Sequence, residues 1–226
     1  MDLSLDHDAW ALAQDAADPL AHFRGEFHLP RHAGRDLHYF VGNSLGLQPK
    51  AARDAVQAEL ASWATNAVEG HFHGERPWMH YHVGLREPMA RVVGALPTEV
   101  VVMNTLTVNL HLLMASFYRP TRERAAILIE AGAFPSDRHA VESQIRFHGF
   151  DPATELIELD PDTTDGLFSL ASIERVLAEH GQRIAMVLWP GLQYRSGQAF
   201  DLAAIARLAQ ARGCAVGFDL AHAAGN

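Results

Sequence analysis

From residue 99 onward the chain alternates short apolar runs with longer amphipathic stretches. EVVVMN (99–104), AAILIE (125–130), TELIELD (154–160), IAMVLW (184–189) and CAVGFD (214–219) read as strands. TLTVNLHLLMASFY, SDRHAVESQIRFHG, SLASIERVLAEHG and DLAAIARLAQARG lie between them and carry apolar residues at helical spacing. Asp201 is placed as an N-cap, and Gly181 and Gly213 as left-handed helix ends. AAILI, IAMVLW and CAVGF are apolar without alternation, as strands covered on both faces must be. TELIELD alternates more and is expected nearer an edge. Short connections and regular βα alternation predict an α/β fold with a doubly wound, mostly parallel sheet and right-handed crossovers.

The first third has a different pattern, helical with one interruption. Asp18-Pro19 reads as a helix start, LHYFV (37–41) as a short strand, and GNSLG as a turn. Pro49 opens a helix whose apolar stripe is Val56, Leu60, Trp63 and Ala67, and a further helix is expected from about Trp78 to Val93. The pattern divides the chain into an N-terminal helical segment, 1–98, and a sheet domain, 99–226.

Composition narrows the functional classes. Hydrophobic residues make up 48% and charged residues 20%, the balance of a soluble globular protein. The formal charge is −9, without a basic stripe to meet phosphates, so no nucleic-acid partner is expected. Residues 1–20 lack the features of a signal peptide and no apolar run reaches membrane-span length, so no membrane partner and a cytoplasmic location are expected. The lone Cys214, in an apolar run, reads as a buried structural thiol. His71 and His73, and His80 and His82, have ligand-like spacing, but no carboxylate-rich motif accompanies them and no metal is expected.

In open parallel sheets ligands gather beyond the carboxyl ends of strands. Those positions hold NTLTVN (104–109), EAGAFPSD (130–137), WPGLQYRSG (189–197) and DLAHAAGN (219–226), all rich in Gly, Ser, Thr, Asp or aromatic residues. Thr105 and Thr107 open a helix, where free N–H groups favour an anion; a plain threonine N-cap is the alternative. Asp219 ends a strand expected to be central. It needs a positive partner, either a protonated ring nitrogen or an internal arginine or backbone cap. Neither GxxxxGK[ST] nor GxGxxG occurs, and HExxH is also absent.

YFVGNSLGLQPK, GHFHGERPW, MNTLTVNLHLLMASFYRPT, EAGAFPSDRHAVESQIRFHG and GCAVGFDLAHAAGN together resemble kynureninase, from about residue 17 to the last. The resemblance implies the three-layer large domain of fold type I pyridoxal-phosphate enzymes, here truncated. It implies pyridoxal 5'-phosphate as cofactor, a homodimer with the active site at the subunit interface, and hydrolysis of L-kynurenine, or its 3-hydroxy form, to anthranilate and L-alanine. By the same resemblance Leu106 and Thr107 cradle the cofactor phosphate, Phe134 stacks on the ring, and Ser136 and Asp137 line the pocket. Asp219 pairs with the ring nitrogen as the catalytic acid, and His222 sits beside it. Asn43, Ser44 and His71 match positions that approach the substrate, although Asn43 also suits a purely structural turn. Where relatives can carry a phosphate-binding serine, this chain has Pro190.

The family's cofactor also needs a lysine as covalent anchor. Lys50 is the only lysine and is expected at the surface of a helix start. The resemblance places the anchor beyond DLAHAAGN, so the sequence reads as the N-terminal half of such an enzyme, inactive alone. The alternatives are a non-catalytic fragment or interaction module, and another fold type I enzyme such as a cysteine desulfurase. Phenylalanine at 134, where a desulfurase is expected to stack a histidine, favours kynureninase.

Overall fold

A computed structural model describes residues 7–225, which group into two compact units divided between Tyr81 and His82. The part of the signal-peptide reading that rests on residues 1–6 lies outside the described residues.

The first unit is helical. Helix α1 spans His7–Ala17, and a 3-10 helix covers Ala21–Glu26. Asp18 does anchor this start, accepting from the Leu20 backbone N–H at 2.8 Å, but the helix it opens is 3-10 rather than α. LHYFV does not form a strand. The extended backbone instead pairs just before it, as two-residue strands β1 (Arg31–His32) and β2 (Arg35–Asp36) joined by Ala33-Gly34, both at positive φ. Two successive left-handed residues give the turn twist that a tight hairpin needs. Helix α2, Ala51–Asn66, carries Val56, Leu60 and Trp63 of the expected stripe, all exposed, and ends before Ala67, which has φ 46. Gly70 is required where it stands, because a Cβ there would lie 2.6 Å from the Trp78 ring. Trp78 in turn donates to Glu59 at 3.0 Å.

The second unit opens with α3, Val83–Val93, closed by Gly94 in the left-handed conformation. The helix expected from Trp78 is thus shorter, preceded by a separate 3-10 turn at Trp78–His80. EVVVMN is not a strand either. Val101 and Met103 stay exposed, and no partner strand runs beside them among the described residues. Apolar β-formers make a strand only where an edge is there to pair with.

Helix α4 spans Leu106–Phe117. Four strands then form one parallel sheet: β3 (Ala126–Glu130), β4 (Leu156–Leu159), β5 (Ile184–Pro190) and β6 (Ala215–Asp219), in the order β4-β3-β5-β6. The connections run through α5 (Pro135–Phe147) and α6 (Pro152–Glu155), then α7 (Leu170–His180), then α8 (Leu202–Gln210). β4 lies at one edge, as its alternation predicts. β6, expected to be central, forms the other edge among the described strands and is half-buried along its length.

Alternation along β3 separates two cores. Ile127 and Ile129 pack with Leu110, Met114, Val141 and Ile145 from α4 and α5. Ala126 and Leu128 face Ile173, Leu177, Ile205 and Ala209 from α7 and α8. Helices therefore cover both faces, which is why β3 and β5 tolerate unbroken apolar sequence. Cys214 belongs to the second core, its thiol directed at the Ile184 carbonyl at 3.3 Å, and burial raises its pKa.

At the amino end of the sheet Arg124 ties the entries to three strands together. Just before β3, it donates to the carbonyls of Gly181 and Gln182 ahead of β5, and of Arg212 and Gly213 ahead of β6, at 2.6–3.2 Å. Gly213 has φ +75, and a Cβ there would meet Arg124 Nη1 at 2.9 Å. Gly181 departs from expectation: it is right-handed, and its missing Cβ makes room for the Leu177 carbonyl.

Candidate functional site at the carboxyl edge of the sheet

The connection from β3 to β4 runs over one face and the connections leaving β4 and β5 over the other. The chain thus reverses its winding between β3 and β5, and a crevice opens beyond the carboxyl ends of such a pair. The structure places a recess of about 10 Å³ there, lined by Ile129, Glu130, Ala133, Asp137, Leu188, Trp189, Pro190 and Asp219. That is room for one atom or the edge of a ring rather than a whole ligand.

Among the described residues, three carboxyl groups and no basic side chain line the recess. Asp219 arrives at the end of β6, in register with Pro190 of β5. Its backbone carbonyl accepts from Gly191 at 2.7 Å, and its Oδ1 accepts from the Ala221 N–H at 2.8 Å. Asp137 stands in the first turn of α5, which Phe134-Pro135 starts with proline at its favoured position. Its carboxyl faces that of Asp219 across the recess, and the Ser136 hydroxyl donates to Asp137 Oδ1 at 3.3 Å. Burial, then the contact with Asp219, raises the Asp137 pKa. Glu130 is 4% exposed, and burial, reinforced by the charges of Asp137 and Asp219, pushes it up to about 8. Like charges this close keep part of the cluster protonated unless a cation is brought to it.

Of the residues expected at the site, Asp137 and Asp219 meet directly, with Ser136 beside them. His222 lies in the turn after Asp219 and is half-buried. Phe134, at the N-cap of α5, is 45% exposed and meets Tyr194 edge-on, ring centroids 5.2 Å apart. Leu106 and Thr107 occupy the first turn of α4, whose N–H groups have no partner within the helix. Thr105 is the N-cap of α4, with extended backbone, although its side chain makes no capping bond. Asn104 precedes it at φ 49, and its side chain donates to Asn109 at 3.2 Å, which fixes the turn into the helix.

Asn43, Ser44 and His71 belong to the first unit. Ser44 and Leu45 donate their N–H groups to the Val41 carbonyl at 3.0 and 3.1 Å, closing the GNSLG turn. His71 Nδ1 lies 2.9 Å from the Val68 carbonyl, and its ring meets Trp78 edge-on. Among the described residues no three His, Cys, Asp or Glu side chains form a metal-ligating group, and no helix is long and apolar enough to cross a membrane.

Sequence reasoning missed Glu130 and Gln193. The signal for the first was present, a lone acid ending the apolar run AILIE. Gln193 is 3% exposed and polar in a loop, and only the fold shows what it holds.

The architecture, a parallel sheet with helices on both faces, is shared with solved structures of enzymes. Solved structures that share it include the cysteine desulfurase CsdA from Escherichia coli, at TM-score 0.62 and 16% identity over 89% of this chain and 48% of that one. The cystine C-S lyase C-DES in complex with cysteine persulfide aligns at TM-score 0.60 and 18% identity, over 81% of this chain and 47% of that one. In sequence the chain is similar to kynureninase. It is 65% identical over 216 residues to kynureninase of Xanthomonas campestris pv. campestris (strain B100), covering 96% of this chain and 51% of the relative. Kynureninase of Stenotrophomonas maltophilia (strain K279a) is 63% identical over the same length and shares. The chain therefore spans about half the length of the curated relatives it matches. No family model matches it.

Proposed function

We propose that this chain builds the cofactor floor of a pyridoxal 5'-phosphate enzyme that hydrolyses L-kynurenine, or its 3-hydroxy form, to anthranilate and L-alanine. The observation that carries the reading is the Asp137–Asp219 carboxyl pair in a recess without a cation, at the point where the sheet reverses its winding. A protonated ring nitrogen fits that recess in size and supplies the positive charge the cluster lacks. The high identity to kynureninases supports the substrate.

Bound there, the cofactor supplies an electron sink for chemistry on an amino acid. Asp219 would hold the proton on the ring nitrogen, with Asp137 beside it. The first turn of α4, with the N–H groups of Leu106 and Thr107 and the Thr107 hydroxyl, receives the phosphate. These donors stand in for the hydroxyl that Pro190 cannot provide. Phe134, 45% exposed, would stack on the pyridine, and Ser136 and His222 would line the pocket. Asn43, Ser44 and His71 approach the substrate.

Lys50 is exposed at the start of α2 and takes no part in this site. We assign the covalent anchor lysine to the portion of the longer relatives that this chain does not span. A cytoplasmic homodimer with kynurenine as its small-molecule substrate, acting in tryptophan breakdown, completes the reading. The test is to supply purified full-length protein with pyridoxal 5'-phosphate and L-kynurenine and to follow anthranilate and alanine. Equal amounts of both, dependent on the cofactor, are expected; cofactor-loaded protein that forms neither contradicts the proposal.

A further inference from the structure

The loop that leaves β5 is built as a bracket. Buried Gln193 donates through Nε2 to the Gly132 carbonyl at 3.4 Å. Its Oε1 accepts from the backbone N–H groups of Arg195 at 2.6 Å and Ser196 at 3.4 Å. Its own backbone is pinned twice more, with its N–H donating to Gln198 and its carbonyl accepting from Gly197, both at 2.9 Å. One glutamine thus fixes the loop internally and ties it to the turn that leads from β3 to Phe134.

Tyr194 rides on that fixed loop. Arg195 Nε donates to the Tyr194 hydroxyl at 2.8 Å, and the guanidinium carbon lies 5.3 Å from the ring centroid. The phenol is held at its oxygen and at its ring, and it stands edge-on to Phe134 at an interplanar angle of 75°. A lone phenylalanine at a helix start retains freedom about both side-chain torsions, and an edge-on aromatic neighbour removes much of it.

We infer that Tyr194, fixed by Gln193 and Arg195, is a positioning residue that sets the plane of the Phe134 ring for stacking on the cofactor. The inference rests on the cofactor reading above. It assigns Tyr194 no contact with the cofactor, only with Phe134.

The test compares Tyr194→Leu, Tyr194→Phe, Phe134→Leu and the Tyr194→Leu/Phe134→Leu double variant in the full-length protein loaded with pyridoxal 5'-phosphate. The readouts are the cofactor dissociation constant and the induced circular dichroism of its absorption band. Tyr194→Leu should weaken cofactor binding roughly three- to tenfold, the size of one aromatic pair, and shrink the dichroic band. Tyr194→Phe keeps the ring but loses the hydroxyl that Arg195 holds, and should restore both in part. The double variant should be no worse than Phe134→Leu alone, because Tyr194 acts only through Phe134. Additive losses would overturn the inference. So would a silent Tyr194→Leu beside a damaging Phe134→Leu, and that outcome leaves the cofactor reading standing. If Phe134→Leu changes neither readout, the stacking assignment itself falls and takes this inference with it.

Discussion

Glu130 shows how one side chain can carry a charge problem from the strand that bears it to the whole site. With a folded pKa of about 8 against an ordinary 4.5, it binds more protons folded than unfolded across that interval. Stability from its protonated form is therefore complete below about 4.5 and is lost as pH rises through about 8. Asp137 is shifted in the same direction. The urea midpoint of the cofactor-free chain should fall as pH is raised from about 5 to about 8, and Glu130→Gln should flatten that fall. Equal slopes in the two proteins would show that Glu130 is not the group responsible. Arg124 makes the opposite kind of contribution, four charge-assisted bonds to backbone carbonyls. Arg124→Ala should cost about 2–3 kcal/mol in urea unfolding, and Arg124→Lys should recover little because an ammonium cannot span four carbonyls. Sequence alone could not separate Arg124 from the other arginines, since its partners lie 57 to 89 residues away.

At the scale of elements, all four strands of the parallel sheet could be read, the edge strand β4 from its alternation. β3, β5 and β6 announced themselves as apolar runs between amphipathic helices, and the caps were partly readable. Asp201 does accept from the Ala204 N–H, at 2.9 Å, and Asp201→Ala should lower stability by about 1 kcal/mol in urea unfolding. The failures share a cause. EVVVMN and LHYFV have strand composition, but pairing is a property of the neighbour and not of the segment. The apolar residues of β6 suggest a central strand, yet its position in the sheet is set by the strand order. Trp189 at the end of β5 tests the second core. It is fully buried against Phe168 and Phe200, at ring-centroid distances of 5.7 Å. Trp189→Ala should cost about 3–5 kcal/mol, visible as a lower thermal midpoint. A loss under about 1 kcal/mol would mean the cluster collapses to fill the space.

For the molecule as a whole, the fold explains why residues far apart in sequence share one small recess. Glu130 and Asp137 belong to the one segment that joins β3 to α5 and Asp219 to the end of β6, and the strand order brings the two segments together. The four candidate segments were legible because carboxyl ends of strands can be counted from the sequence. The meeting of two carboxyls, and the lack of a basic side chain in the recess among the described residues, were not. They depend on register and burial, which no local pattern encodes. Asn43, Ser44 and His71 illustrate the same limit, since their assignment comes from resemblance and their local contacts explain only a turn and a ring packing. The central claim is that Asp219 holds a proton on the cofactor ring. Its most direct test is anthranilate release from L-kynurenine by the cofactor-loaded full-length protein, compared with its Asp219→Ala variant. The account predicts a loss of roughly a hundredfold or more, the scale of removing one preorganised electrostatic contact. Unchanged turnover in Asp219→Ala would contradict it.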